Sequence, residues 1–190
     1  MDKKTIIFVT GNDYKFQAAK IALKDAGIKL VKKRLETPEI QDESVEEVAA
    51  FSAAWAANIL KKPVIVSDGG CYIEALNGFP GPFVKYINKW LSSEDLLKMM
   101  SGKKNRRVVW IGCIAYCEPN KKPLTDVNKY KGKLALKPGK NIYRKDYSWI
   151  DTLFIPDGYK KPISELSNKD YIEFWGNDSG LVKIIKKNRR

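Results

Sequence analysis

Along the first third of the chain the apolar positions change period twice. Residues 5–10 form a short β-prone run that ends in Gly11-Asn12, after which Phe16, Ala19, Leu23 and Ala26 recur at helical spacing as far as Gly27. The pattern predicts strand, tight turn and helix. Residues 28–33 return as a second strand, and Thr37-Pro38-Glu39-Ile40-Gln41 is extended because proline restrains the residue before it. Ser44 and Glu47 have the spacing of a capping box, so a helix starts there. Val48, Phe51, Trp55 and Ile59 mark its apolar face, and Lys61-Lys62-Pro63 ends it. Residues 64–66 read as a short apolar strand. Ser67-Asp68-Gly69-Gly70 would then lie beyond its carboxyl end, where α/β sheets place ligands.

The later pattern is more antiparallel in character. Residues 77–82 form a Gly/Pro-rich turn, a helical stretch runs to Trp90, and Ser92 caps a second short helix to Met100. Residues 102–107 are a basic loop. Residues 108–117 and 126–136 favour strands joined by a hairpin over 118–123, and residues 153–156 predict one more strand. Residues 164–166 suggest a short turn or helix. Asp178 caps a terminal helix carrying Leu181, Val182 and Ile185. Strands alternating with helices, without repeat or linker, predict one α/β domain over 1–190.

Composition narrows the chemistry. An apolar content of 44% in 190 residues can supply a sizeable core, which argues against disorder. No apolar run is long enough to span a membrane, and the opening segment is too short for a signal peptide, so a cytoplasmic protein is expected. The three cysteines, Cys71, Cys113 and Cys117, form no Cys-x-x-Cys pair, which disfavours a disulfide framework or zinc site. The absence of histidine leaves catalysis to carboxylates, lysines and metal. A net charge of +13 favours a polyanionic partner, either a phosphate-rich small molecule or a nucleic acid.

Two groups of residues could carry chemistry. In Thr10-Gly11-Asn12-Asp13-Tyr14-Lys15 a strand passes through glycine into a helix whose free N–H groups can bind phosphate oxygens, with Lys15 as the cation. The same residues also suit an ordinary turn capped by Asn12 or Asp13. Glu39 and Asp68, on separate elements, could share one Mg²⁺, or be solvated surface acids.

Thr10-Gly11-Asn12-x-x-Lys15, Pro38-Glu39-Ile40-Gln41, Ser67-Asp68-Gly69-Gly70 and Ala75-Leu76-Asn77-Gly78-Phe79-Pro80-Gly81-Pro82, in that order, resemble the inosine/xanthosine triphosphate pyrophosphatases. The resemblance continues through Phe154-Ile155-Pro156-Asp157-Gly158-Tyr159 and Lys169, so it covers nearly the whole chain. It implies a mixed α/β sheet with flanking helices, and two lobes around a central nucleotide-binding cleft. It also implies a homodimer and Mg²⁺-dependent cleavage of a nucleoside triphosphate to monophosphate and pyrophosphate. Thr10, Gly11, Asn12 and Lys15 would hold phosphates, Glu39 and Asp68 would carry metal, and Asp68 would orient or deprotonate water. Gly69, Trp149, Asp151 and Lys169 complete the substrate contacts that the resemblance implies.

The family pattern changes in four places. Glu173-Phe174-Trp175 stands where a Ser-His-Arg reads the purine, and Ser148-Trp149-Ile150-Asp151-Thr152 replaces an aromatic-rich wall, with Trp149 as its substitute. Ser52 replaces a lysine, and Ser67 replaces an acid. Exchanging a cationic arginine for Trp175 removes hydrogen-bonded base selectivity. The leading expectation is a pyrophosphatase with altered base choice. A catalytically silent nucleotide-binding member is the alternative. A nucleic-acid partner, suggested by the basic tail at Lys183, Lys186, Lys187, Arg189 and Arg190, is the least favoured.

Overall fold

A computed structural model describes residues 4–24, 26–140, 148–176 and 180–187. Asp178, the expected cap of the last helix, lies outside the described residues, as do Asn188, Arg189 and Arg190. The strands are β1 (Lys4–Val9), β2 (Ile28–Lys33), β3 (Val64–Ile73), β4 (Pro80–Gly81), β5 (Arg107–Cys117), β6 (Leu124–Leu134) and β7 (Phe154–Pro156). The helices are α1 (Asp13–Ala22), α2 (Val45–Leu60), α3 (Val84–Trp90), α4 (Ser93–Met99), α5 (Asn168–Gly176) and α6 (Gly180–Lys187). Short 3₁₀ turns occupy Glu74–Leu76, Trp149–Thr152 and Ile163–Glu165.

The strands join in the order β2-β1-β3-β5-β6-β7, with β4 on β3. β1 pairs in parallel with both β2 and β3, while β3–β4 and β6–β7 are antiparallel, so the fold is mixed α/β. The chain divides into two compact units. One comprises Met1–Asp68, Gly112–Asn128 and Ile172–Arg190, and the other Gly69–Ile111 and Lys129–Tyr171.

In the first unit Ile6 and Phe8 of β1, Ile65 of β3 and Tyr116 of β5 are sealed by Ala19 of α1, by Leu23 just past its end, and by Leu181, Ile184 and Ile185 of α6. Burying each of the larger side chains contributes about 1.5–3 kcal/mol. The apolar stripe read from α2 differs from the face that packs. Phe51 and Ile59 are exposed, whereas Val45, Ala49, Ser52, Ala53, Ala56 and Ala57 are buried. Small side chains let a helix approach its neighbours closely, so alanines rather than the large residues carry this contact. Ser44 Oγ accepts from Glu47 N at 3.3 Å, supplying the expected cap.

In the second unit Cys71, Ile73, Leu96, Met100, Val108, Leu134, Ile150, Leu153, Phe154 and Ile163 are buried. β3 is longer than residues 64–66. Ser67-Asp68-Gly69-Gly70 reads as a turn by composition, yet the strand continues through it to Ile73 and pairs Cys71 with Gly81. Gly70 explains the continuation, because a Cβ there would lie 2.8 Å from the Gly81 carbonyl oxygen. β6 likewise starts and ends two residues earlier than the predicted 126–136, leaving Leu136 83% exposed. Helix α5 has a missed signal at its start, where Ser167 Oγ accepts from Asp170 N at 3.1 Å.

Candidate active site

The turn after β1 is held from inside its own unit. Thr10 N donates to the Lys33 carbonyl of β2 at 3.0 Å, and Thr10 Oγ1 accepts from Asn12 N at 3.0 Å. Asn12 Oδ1 then accepts from Lys15 N at 3.0 Å, making Asn12 the N-cap of α1. The capping reading is therefore correct, and it remains compatible with phosphate binding. A neutral amide closes the helix end without placing a negative charge at its positive pole. The one acid there, Asp13, is paired with Lys32 Nζ.

Lys15 Nζ donates to the Ser67 carbonyl oxygen of β3 at 3.0 Å. The residue keeps an exposed surface, yet enough protein surrounds its ammonium group for desolvation to lower its pKa, with the Asp68 carboxylate pulling the other way. The cation of the turn and the acid of β3 thus share one electrostatic neighbourhood inside the first unit. Asp68 is half-buried, within a strand rather than beyond its end. Being in a strand fixes its backbone more firmly than a loop would.

A second observation places more charge near Asp68. Burial pushes the Cys113 thiol up to about 12, and the Glu46, Asp68 and Asp126 carboxylates add to the rise. Glu46 also accepts from Thr125 Oγ1, and Asp126 Oδ2 from Asn128 Nδ2 at 3.1 Å. Glu46 and Asp126 went unnoticed in the sequence, since a first-turn helix acid and a strand acid are commonplace. Among the described residues, no three or more histidine, cysteine, aspartate or glutamate side chains gather as a metal-binding group. Glu39 is exposed on the extended run after β2.

The remaining expected contacts lie in the second unit. Gly69 faces the Trp110 indole, whose Nε1 lies 3.1 Å from where a Cβ would sit. Trp149 is only 9% exposed, and its indole nitrogen is buried without a hydrogen-bond partner among the described residues. Asp151 is 4% exposed and accepts from the Tyr171 hydroxyl at 3.0 Å. Burial, reinforced by Asp151, pushes the Cys71 thiol far above its usual value. Both Trp149 and Asp151 therefore have the surroundings of core residues. Lys169 is exposed in the first turn of α5.

The altered residues occupy defined places. Ser52 is buried on α2 at 6% exposure, and Ser67 supplies the carbonyl that receives Lys15. Phe174 and Trp175 of α5 are half-buried and meet edge to face, with ring centroids 4.8 Å apart at 77°. Glu173 beside them is exposed.

Residues 6–175 match the model of the Ham1 family. A dITP/XTP pyrophosphatase of Methanopyrus kandleri is 39% identical over 85% of this chain and 84% of its own length. One from Ignicoccus hospitalis is 34% identical over 98% and 97%. The Ham1 protein structure of Staphylococcus aureus superposes with a TM-score of 0.77 at 22% identity, covering 98% of this chain and all 100% of that one. That of Coxiella burnetii gives 0.78 at 20% identity, covering 98% of each. The resemblance read from the motifs holds at the level of both sequence and fold, and this chain belongs to the Ham1 family.

Proposed function

We propose that the chain, working as one catalytic domain, hydrolyses a non-standard purine nucleoside triphosphate of the ITP, XTP or dITP type to the monophosphate and pyrophosphate. The observation that carries this reading is the meeting of Lys15 with β3 at Ser67 and Asp68, beside a turn whose N–H groups suit phosphate. The names of the relatives from Methanopyrus kandleri and Ignicoccus hospitalis support the substrate class.

The chemistry of the proposed donors, Glu39 and Asp68, is of the kind that suits Mg²⁺. They present carboxylate oxygens without histidine or a closed protein cage, and Mg²⁺ is usually held by one or two carboxylates together with water and substrate phosphates. Asp68 and Glu39 would hold it. When bound, it supplies charge neutralisation on the phosphates and a template for their alignment. Asp68 orients the attacking water and accepts its proton, within reach of the Lys15 charge. Thr10, Gly11, Asn12 and Lys15 steady the phosphate oxygens. As the water oxygen bonds to phosphorus, the bridging P–O bond breaks and its electron pair departs with pyrophosphate. Phe174 and Trp175 in place of polar base readers favour relaxed or altered base choice.

A homodimer acting in the cytoplasm completes the reading, and light scattering checks the dimer. No described helix is long and apolar enough to cross a membrane. The buried Ser52 favours a second reading, a nucleotide-binding member without turnover. A panel of standard and deaminated triphosphates assayed with Mg²⁺ separates the two. Release of pyrophosphate from at least one supports hydrolysis, whereas ligand-dependent melting with no release supports silent binding.

A further inference from the structure

The turn between β1 and α1 carries more positive charge than its own sequence supplies. β1 lies between β2 and β3, in register through Val9↔Lys33 on one side and Phe8↔Ile65 on the other. Lys15 reaches toward the β3 flank, where Ser67 and Asp68 lie. On the opposite flank, burial along β2 alternates with period two, so Lys32 shares a half-buried face with Ile28 and Leu30. Lys32 Nζ contacts the Gly11 carbonyl at 3.4 Å and pairs with Asp13. Arg34 is exposed one residue past the strand end, and its Nε lies 3.9 Å from the point a Cβ on Gly11 would occupy.

Lys32 and Arg34 differ in how far they are compensated. Asp13 neutralises Lys32, while the exposed Arg34 side chain makes no hydrogen bond or ion pair among the described residues. An arginine fork presents parallel N–H donors matched to phosphate oxygens, which a lysine cannot reproduce. Gly11, lacking a side chain, leaves the space between Arg34 and the turn open.

We propose that Arg34 is a further substrate-binding residue that grips the pyrophosphate portion of the triphosphate. This rests on the pyrophosphatase reading above. If the reacting phosphate lies at Asp68 on the β3 flank, a phosphate chain crossing the turn toward β2 brings its leaving end to Arg34. The separation of β2 from β3, two strand spacings or roughly 10 Å, suits an extended phosphate chain. Arg34 therefore controls capture of the triphosphate and retention of the pyrophosphate product, and has little part in the monophosphate.

The test compares Arg34→Gln, Arg34→Lys and Lys104→Gln, the last an exposed cation of the second unit that controls for bulk charge. Arg34→Gln is expected to raise KM for the triphosphate about 10-fold and weaken pyrophosphate inhibition by about the same factor. Its kcat and its inhibition by nucleoside monophosphate stay within about twofold of wild type, Arg34→Lys recovers only part of the loss, and Lys104→Gln changes nothing. Unchanged KM and pyrophosphate inhibition in Arg34→Gln, or an equal loss in Lys104→Gln, overturns the proposal. Direct titration of wild type and Arg34→Gln with pyrophosphate and Mg²⁺ needs no turnover. It therefore decides the role of Arg34 even if no nucleotide is hydrolysed, an outcome that would remove the pyrophosphatase reading alone.

Discussion

At the scale of single residues, the fold places two opposite charges, Lys15 and Asp68, in one neighbourhood, and the proposed reaction gives them different work. Asp68→Asn keeps the side-chain volume while removing the negative charge that attracts metal and accepts the proton. Turnover should fall by at least about 100-fold, with the thermal midpoint within a few degrees of wild type. Retained activity at a normal midpoint would show that Asp68 is not the base. Lys15→Gln keeps a polar group near Ser67 but loses the charge. Its kcat/KM should drop roughly 10- to 100-fold, in line with a charged hydrogen bond of about 1.5–3 kcal/mol. Steady-state kinetics on the two variants separate chemistry from phosphate binding.

At the scale of elements, α4 provides a pH-sensitive component of stability independent of the proposed chemistry. The Ser92 hydroxyl and backbone N–H, and then Lys98, hold Asp95 at about 2, below the usual carboxylate value of about 4. A depressed folded pKa contributes stability that is fully present above the unfolded value and is lost as pH falls through the folded one. The difference in unfolding free energy between wild type and Asp95→Ala should be constant from neutral pH to about 4, then shrink toward pH 2. A difference that persists unchanged at pH 2 contradicts the assignment. Gly70→Ala tests β3 in the same way. Its Cβ would press on the Gly81 backbone, costing about 1–3 kcal/mol in chemical denaturation.

Those elements also show where the sequence is legible. β2 and the capped starts of α2 and α4 follow from local alternation and local hydrogen bonds, which a sequence displays directly. The extension of β3 through Ser67-Asp68-Gly69-Gly70 depends on pairing with a partner strand, which overrides the turn character of those residues. The alanine face of α2 was hidden because side-chain size marks apolarity more visibly than it marks close packing. The turn built by Thr10, Asn12 and Lys15 and its approach to Asp68 were legible from the motif, whereas Lys32 and Arg34 reach the turn only through the parallel register of β1 and β2. The burial of Trp149 and Asp151 was likewise invisible, since both residue types occur at surfaces and in cores.

At the scale of the whole molecule, the proposed binding of metal is separate from what holds the fold. The apolar clusters contain no metal-binding group among the described residues, so chelation should stop turnover while leaving the far-ultraviolet circular dichroism and thermal midpoint nearly unchanged. Restoration by Mg²⁺ completes that check. Under the proposed reading, Phe174 and Trp175 in place of polar base readers should broaden the base profile, visible as similar kcat/KM values for deaminated and standard purines. The most direct measurement follows all phosphorus-containing products of XTP and dITP by ³¹P nuclear magnetic resonance in the presence of Mg²⁺. One monophosphate and one pyrophosphate per triphosphate consumed, both lost in Asp68→Asn, is the predicted result. Release of inorganic phosphate with a nucleoside diphosphate, or equal product formation by Asp68→Asn, would contradict it.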